Sequence, residues 1–377
     1  MGKINIYSTN GTNKAGLEYT GTSDITVDTG HLSGTSSNLQ TQLNTKASTA
    51  DVQNVITKSA TAPSSPSNGD FWYDTDDTAF YFYDGSAWKL IKQSFEATGG
   101  NSVTESGGYK IHTFTSSGTF SVVKGQTEVE YVVVGGGGAG GADDGGGGGA
   151  GGYRSSVNGE ASGGGAAAES KLVVSQGNYT VTIGAGGPAF EHVQSRSTSQ
   201  GGDTTFGSIT SVGGGMGGHT DGVGTGYIGS PGGSGGGNHQ APNDQPAGSG
   251  TTGQGYAGGR GDGNLDGSVW AGGGGGASET GNVGQDSKGG DGVQTNITGT
   301  PTYLAGGGAG ATRQLSSAIP GGAGGGGNGS HLTSSNTGTA GAVNTGGGGG
   351  GGPGTGSNYQ RRGHPGGSGI VIIRYAI

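Results

Sequence analysis

Short apolar segments that lead into runs of glycine are the dominant pattern of this sequence. They recur as EYVVVGGGGAGG, YTVTIGAGG, ITSVGGGMGG, SVWAGGGGG, TYLAGGGAG and AVNTGGGGGGG. The β-branched and aromatic residues at the start of each run favour strands, whereas a flexible glycine linker would not need them there. The pattern therefore predicts strands that feed repeatedly into one folded body.

The two densest apolar runs of this body are residues 129–134 (VEYVVV) and 370–375 (IVIIRY). We predict that they pair, antiparallel rather than parallel, in a β base where the ends of the body meet. Residues 171–183 (KLVVSQGNYTVTI) are predicted to join this base as a hairpin that turns at Gly177 and Asn178. Further strands are predicted over residues 109–115 and 118–123.

The first 134 residues are poorer in glycine. Residues 37–58 carry a thin apolar stripe at spacings of three to five, formed by Leu39, Leu43, Ala47, Ala50, Val55 and Ile56. This spacing favours a short helix or coiled coil. Burial in a trimer would cover the stripe, and a lone surface helix is the alternative.

Residues 63–91 are rich in aromatic side chains and are interrupted by DTDDT and by Asp84-Gly85. Asp-Gly supplies the positive φ that tight turns require, so a β-hairpin is predicted. Its aromatic rings either form the core of a small β module or present a platform for sugars.

Glycine occupies 98 of the 377 positions, a composition that normally predicts disorder because glycine loses the most backbone freedom on folding. The regular state that glycine runs favour is a threefold polyproline II helix without internal hydrogen bonds. Such helices satisfy their backbone groups by bonding to neighbours. We therefore predict a bundle of polyglycine II helices.

These patterns predict a mainly β protein with five parts. Residues 1–36 form a docking segment, residues 37–60 a short helix or coiled-coil stalk, residues 61–94 the aromatic β-hairpin module, residues 95–125 a β-strand connector, and residues 126–377 the glycine-rich polyglycine II domain.

Charge and motifs exclude several function classes. A net charge of −9 without a basic stripe argues against nucleic-acid binding, and the absence of cysteine excludes disulfides and thiolate metal sites. Asp143-Asp144 or Asp262 with Asp266 would at best hold a hard cation. We expect no cofactor, no metal and no enzyme activity, since no pair of titratable groups suggests acid–base chemistry.

Segments richer in ordinary side chains lie between the glycine runs, and loops on a rigid scaffold are where recognition usually resides. Aromatic and histidine residues in these segments suit contacts with sugars or proteins. The candidate receptor-binding residues are His219, Tyr227, His239, Trp270, Tyr303, His331 and Tyr359. Capping of the glycine body is the alternative role for each.

The stretches ATGGNSVTESGGYKIHTFTSSGTFSV, EVEYVVVGGGGAGG and GGSGIVIIRYAI resemble the glycine-rich C-terminal domain of bacteriophage tail fibres and tail adhesins. PSNGDFWYDTDDTAFYFYDGSAWKLI resembles an aromatic hairpin module of tail fibres. The resemblance implies a virion-borne receptor-binding protein, usually a homotrimer, whose loops contact a host outer-membrane protein or polysaccharide. Its N-terminus would attach to other tail or baseplate proteins. The detachable tip adhesins of this kind are monomeric, so trimer and monomer both stay open.

The N-terminal sequence MGKINIYSTNG has no apolar signal-peptide region. We therefore expect a virion protein that is released by host lysis. Two other classes of function are compatible with a glycine-rich bundle: a self-assembling extracellular filament and an ice-binding protein.

Overall fold

The computed structural model describes residues 3–7, 14–19, 25–27, 56–76, 79–93, 95–189, 199–220, 228–239, 245–263, 269–331, 337–354 and 361–377. The chain separates into two compact units. The first contains Met1–Ala97 with Val122–Thr127 and Ser175–Gly177, and the second contains Thr98–Ser121, Glu128–Val174 and Asn178–Ile377.

The protein is mainly β. Its strands are β1 (Lys3–Tyr7), β2 (Lys14–Tyr19), β3 (Ile25–Val27), β4 (Ile56–Ser59), β5 (Phe71–Asp74), β6 (Ala79–Tyr83), β7 (Trp88–Gln93), β8 (Glu96–Thr98), β9 (Ser102–Ser106), β10 (Tyr109–Phe114), β11 (Gly118–Val134), β12 (Tyr153–Ser155), β13 (Leu172–Thr182), β14 (Thr204–Phe206), β15 (Ile209–Ser211), β16 (Asp262–Gly263), β17 (Val269–Trp270), β18 (Val293–Thr295), β19 (Thr302–Leu304) and β20 (Ile370–Ala376).

The described residues contain no α-helix, only short 3₁₀ turns at Gly163–Gly165 and Gly284–Asp286. The predicted helix over residues 37–58 lies outside the described residues up to position 55, and its last residues belong to strand β4. Among the described residues, none forms a helix with the length and apolar character needed to cross a membrane.

The first unit is built around a seven-stranded sheet in the order β1-β2-β3-β7-β6-β5-β4. The predicted hairpin is confirmed: β6 and β7 are antiparallel, with Tyr83 opposite Trp88. The Asp84 carboxylate closes the turn by accepting hydrogen bonds from the amides of Ser86 and Ala87, at 2.9 and 2.8 Å.

The aromatic rings of this hairpin pack on one another across the strands. Trp72 stacks on Tyr81 with ring centroids 4.8 Å apart, and Trp72 and Phe82 are buried. This packing agrees with the interpretation of the rings as a core.

The second unit contains most of a nine-stranded sheet whose main path is β15-β14-β13-β11-β20-β10-β9, with β12 and β8 also paired to β11. The predicted pairing of the two densest apolar runs is confirmed, because β11 and β20 are antiparallel neighbours with Val132 opposite Ile372. The C-terminal strand thus lies between two strands, β10 and β11, that precede every glycine run.

The strands predicted over residues 118–123 and 129–134 are confirmed, and the structure joins them in one continuous strand, β11. The prediction of a hairpin over residues 171–183 is wrong, since β13 continues through Gly177 and Asn178. The Asn178 side chain accepts a 2.6 Å hydrogen bond from Ser121 Oγ of β11, which holds this part of β13 as an extended strand.

Both faces of the sheet are buried where β11 and β20 pair. On one face, Val132, Val134, Ile370 and Ile372 join a cluster that includes Leu304 and residues at the ends of the glycine runs. On the other face, the aromatic rings of Phe120, Tyr131 and Phe206 pack at centroid distances of 5.9 to 6.4 Å. The sheet therefore carries the main side-chain core of this unit.

The glycine segments hydrogen-bond to one another with a period of three residues. In residues 145–152, amides three positions apart donate to the same neighbouring segment, and the amides between them donate to two other segments. The N–H to O pairs, at 2.8 to 3.0 Å, run from Gly146 to Gly218, Gly147 to Gly272, Gly148 to Gly349, Gly149 to Gly215, Ala150 to Gly275, Gly151 to Gly346 and Gly152 to Val212. The amides of this segment thus donate to three neighbouring segments in turn.

The segments approach so closely that a β-carbon has no space. A Cβ on Gly147 would lie 2.0 Å from the carbonyl oxygen of Gly308, and one on Gly137 would lie 2.0 Å from that of Gly347. In both cases the neighbour is backbone from a distant part of the chain, which cannot move aside as a side chain can. Glycine is required here by the short distance between segments of the chain rather than by backbone dihedrals.

Candidate functional site

The glycine segments run back and forth between the sheet and an opposite end. Residues 135–142 leave β11 and residues 145–152 return to β12, and their amides bond across from Gly135 to Gly152 and from Gly141 to Gly146. The reversal lies at Asp143 and Asp144, which have φ values of 56° and 57°. Aspartate is one of the few non-glycine residues that occupies this left-handed region readily.

Several other segments meet this reversal, and backbone hydrogen bonds fix them there. The Asp143 amide donates to the Arg361 carbonyl at 3.0 Å, the Gly145 amide to Gly352 at 3.1 Å, and the Ala311 amide to Gly145 at 3.0 Å. We call this the Asp143 end of the body; it comprises residues 141–146, 218–220, 238–239, 311–313, 330–331, 351–354 and 361. The opposite end, at β11, β12, β18, β19 and β20, is the sheet end.

Most connections that are rich in residues other than glycine begin in the part of the body toward the Asp143 end, which we call the Asp143 side. The chain leaves the described structure after Ala189, Thr220, His239, Gly263, His331 and Gly354, and it returns at Ser199, Ile228, Gln245, Val269, Thr337 and Arg361. Connections at the sheet end are instead short ordered elements, such as the antiparallel pairs β14 with β15 and β18 with β19. The two ends therefore differ in the kind of connection that begins there.

The structure brings together four of the seven candidate receptor-binding residues. His219, His239 and His331 lie at the Asp143 end. Trp270 forms an isolated antiparallel β-bridge with Thr312, which belongs to the same end. Trp270, His219 and His239 are buried. Their part in receptor binding stays a prediction.

The remaining candidates are separate from this group or are not described. Tyr303 lies on β19 at the sheet end, where 46% of its surface is exposed. Tyr227 and Tyr359 lie outside the described residues.

Two carboxylate–guanidinium pairs dominate the electrostatics of the Asp143 end. Both carboxylates are buried. Arg313 makes a two-pronged contact with Asp144, from Nε to Oδ1 at 3.0 Å and from Nη2 to Oδ2. Arg361 Nη1 lies 3.4 Å from Asp143 Oδ1, and Thr220 Oγ1 donates to Asp143 Oδ2 at 3.3 Å.

Burial governs the pKa values of this region. It raises the pKa of Asp144, while the ion pair with Arg313 acts in the opposite direction. Burial lowers the pKa of His239 to about 4, against the charge of Asp143, which acts to raise it. Burial also lowers the pKa of His364 to about 4, with help from Arg362. Both imidazoles are therefore neutral at pH 7.

Sequence reasoning did not single out Arg313 and Arg361, and it considered Asp143-Asp144 only as a cation trap. Within the described part of the chain, no group of three or more histidine or acidic residues is arranged to hold a metal ion. A usable sequence signal exists: after residue 188 every basic residue except Lys288 is arginine. Arginine is the residue suited to fixed, two-pronged pairing with carboxylates.

Comparison with protein families gives one result for the body that carries this end. The family model described as Glycine-rich domain matches residues 113–376, which is well over half of the chain. Comparison with curated proteins finds no match.

Proposed function

Because the chain belongs to the glycine-rich domain family, we propose that it is a non-enzymatic adhesin of a bacteriophage tail fibre that binds a receptor on the bacterial surface. The receptor would be an outer-membrane protein or a polysaccharide. The protein would act on the virion and be released when the host lyses. The sequence resemblance to tail-fibre domains supports this proposal, and the geometry of the glycine-rich body suggests which end binds.

One observation carries the proposal. The side-chain-rich connections leave the body on the Asp143 side, whereas the opposite ends of the same segments are tied to a buried sheet. A scaffold of this kind holds segments that carry ordinary side chains on a rigid support, which is the arrangement that recognition proteins use. We therefore assign receptor binding to the Asp143 end.

We propose further that the glycine segments form a bundle of polyglycine II helices. The three-residue period of their hydrogen bonds supports this, since such a helix has three residues per turn and no internal hydrogen bonds. A lattice of this kind presents almost no side chains along its length. Selective contacts are then expected where the segments end.

The N-terminal part is proposed to serve assembly. Residues 1–36 would attach to other tail or baseplate proteins, and the part of the predicted stalk that precedes strand β4, residues 37–55, would form the helical stalk of a homotrimer. Mass measurement of the full chain in solution tests this, because a monomer would contradict the trimer.

Cell binding by the labelled full chain tests the adhesin proposal. The chain lacks cysteine, so a single introduced cysteine can carry a bulky polyethylene glycol group at a chosen place. Leu315→Cys places it two residues from Arg313, where Leu315 is 37% exposed. Val173→Cys places it on β13, where Val173 is 52% exposed, as the matched control.

We expect strain-selective binding that is lost with the group at position 315 and retained with the group at position 173. Equal loss from both positions would contradict the assignment to the Asp143 end. If the protein binds no cells and instead forms filaments or shapes ice crystals, then the adhesin proposal fails in favour of the structural alternatives.

A further inference from the structure

Three arginines of the second unit each hold a carboxylate through Nε and Nη2. Arg154 and Arg313 contact both oxygens of their carboxylates, whereas Arg374 contacts a single oxygen, Oε2 of Glu130. Arg154 donates to Glu169 from Nε and Nη2, both at 2.7 Å. Arg374 donates to Glu130 from Nε at 2.8 Å, with its Nη2 2.7 Å from the same carboxylate. Arg313 holds Asp144 with the same two nitrogens.

The third nitrogen, Nη1, distinguishes the three arginines. At the sheet end it is used inside the protein: Arg154 Nη1 donates to the Thr210 carbonyl at 3.2 Å, and Arg374 Nη1 donates to the carbonyls of Asn296 and Ile297 at 3.1 and 3.3 Å. At the Asp143 end, no described residue accepts a hydrogen bond from Arg313 Nη1, although Nη2 also reaches the Gly354 carbonyl at 3.2 Å.

Solvent exposure of the side chain also separates Arg313 from the two arginines at the sheet end. The side chain of Arg313 is 40% exposed, against 25% for Arg154 and 14% for Arg374. Asp144 itself is only 4% exposed. A buried carboxylate therefore fixes the orientation of the Arg313 guanidinium. Nη1 of Arg313 is therefore a hydrogen-bond donor on a partly exposed side chain whose position the Asp144 carboxylate fixes.

A second guanidinium stands beside it. Arg361 is held over the neighbouring carboxylate, Asp143, and its side chain is 30% exposed. Asp143 and Asp144 are adjacent in the turn, and each pairs with one arginine: Asp143 with Arg361 and Asp144 with Arg313. An anionic group that approaches Arg313 meets a guanidinium whose orientation Asp144 already sets, so little rotamer entropy is lost on binding.

We propose that Arg313, positioned by Asp144, binds an anionic group, a carboxylate or a phosphate, of an acidic polysaccharide on the host surface. Guanidinium donors match the paired oxygens of either group. The inference rests on the proposed function and adds the chemistry of the ligand to it. It also gives an acidic chain, with a net charge of −9, a local means of attaching to an anionic surface.

The test compares Arg313→Lys with Arg154→Lys in the full chain. Lysine keeps the charge opposite the carboxylate but lacks the planar fork, so each variant retains an ion pair and loses the fixed Nη1 donors. Binding is measured by calorimetry with three probes: hexagalacturonate for carboxylates, a ribitol phosphate oligomer for phosphates, and maltohexaose as the neutral control. Thermal melting confirms that both variants are folded.

We expect the unaltered protein to bind one of the two anionic probes and not maltohexaose. Arg313→Lys should weaken that binding about tenfold or more, because a hydrogen bond to a charged group contributes about 1.5 to 3 kcal/mol. Arg154→Lys should bind as the unaltered protein does. Which anionic probe binds identifies the source of the charge.

Several results would overturn the inference: no binding of either anionic probe, equal binding by Arg313→Lys, or an equal loss in Arg154→Lys. Cell binding by the same variants separates this failure from failure of the proposed function. If Arg313→Lys binds cells as the unaltered protein does, only the ligand assignment fails. If the unaltered protein binds no cells, the adhesin proposal itself fails. Binding to cells that have been stripped of surface polysaccharide would point to a protein receptor and would overturn the inference.

Discussion

The nine-stranded sheet and the glycine-rich body are built by opposite means, although both bury their backbones. In the sheet, side chains such as Val132 and Ile372 fill the space between layers, and burial of apolar surface provides the stabilisation. In the glycine-rich body, the backbones themselves are in contact, and the few buried side chains within the segments are mostly small, such as those of Ala139 and Ala150. Its stabilisation comes from hydrogen bonds between segments and from close backbone packing.

The difference predicts how each region tolerates change. A side-chain core can lose or exchange methyl groups and repack in part. A backbone lattice has few side chains to rearrange, so an added carbon must displace a whole segment. The predictions below test this contrast, from the largest expected effect to the smallest.

Gly147→Ala should prevent stable folding of the glycine-rich body. The new Cβ would lie 2.0 Å from the Gly308 carbonyl oxygen, and separation of the segments would break the hydrogen bonds that Gly147 makes with Gly237 and Gly272. We expect a loss of more than about 5 kcal/mol, at the extreme of single substitutions. Circular dichroism melting of the purified variant measures it.

The matched control is Gly118→Ala on β11. There the added Cβ would meet only the Phe114 ring, at an ordinary 3.6 Å. Its melting temperature should stay close to that of the unaltered protein. If the two alanine variants were equally stable, backbone contact would not explain the glycine content.

Ile372→Ala should cost less than Gly147→Ala but remain large. Ile372 is 3% exposed and lies in the cluster between the sheet and the glycine segments. Removal of its buried carbons leaves a cavity and costs about 2 to 5 kcal/mol. Ile372→Val should cost about 1 kcal/mol. Urea unfolding measures both, and a valine variant as unstable as the alanine variant would contradict the repacking argument.

Acid should weaken the glycine-rich body through its buried histidines. The pKa of His239 is lowered from 6.5 to about 4, so between these values the unfolded chain binds a proton that the folded chain does not. Stability is therefore full above pH 6.5 and falls as the pH drops toward 4. From pH 7 to pH 4.5 the expected loss at this group is about 2 to 3 kcal/mol.

His239→Gln removes this group and should reduce the acid loss by the same amount, as measured by urea unfolding at the two pH values. His364, whose pKa is also about 4, should keep its own contribution in that variant. An unchanged acid loss would mean that His239 is not held neutral in the folded protein.

Asn344→Ala tests a reversal between two segments, which is a place where the glycine-rich body does accommodate a side chain. Asn344 lies in a reversal near the sheet end with a φ of 59°, and its amide donates to Ser368 Oγ at 2.9 Å. Alanine in this left-handed conformation should cost about 1 kcal/mol. Asn344→Gly loses the same 3.1 Å hydrogen bond from Ser368 Oγ to Asn344 Oδ1 as the alanine variant but avoids the strain. The glycine variant should therefore melt at a higher temperature than the alanine variant, and equal melting temperatures would contradict the assigned backbone conformation.

The sequence alone predicts those parts of the fold in which side chains carry the information. The apolar density of residues 129–134 and 370–375 predicts the central strand pair, and Asp84-Gly85 predicts the hairpin turn. The hairpin prediction at Gly177 and Asn178 fails because those residue types permit a turn without enforcing one. Their neighbours on β11 decide the conformation instead.

The arrangement of the glycine segments could not be predicted in the same way. Glycine has no side chain to distinguish one neighbour from another, so nothing in the run 145–152 indicates contact with Gly272 or Gly349. The Asp144–Arg313 pair was missed for a related reason. Its members are 169 residues apart, and only the stacking of the segments between them brings them together.

The three-residue period of the glycine hydrogen bonds also restricts how such a chain can change in length. Insertion of a single residue in the middle of a segment would shift every later amide by one position within this period, onto the wrong neighbour. A triplet would restore the phase, and a change confined to a reversal would leave it untouched. Insertions and deletions that evolution retains inside the segments should therefore be three residues long or a multiple of three. At the ends of the segments they should be of any length.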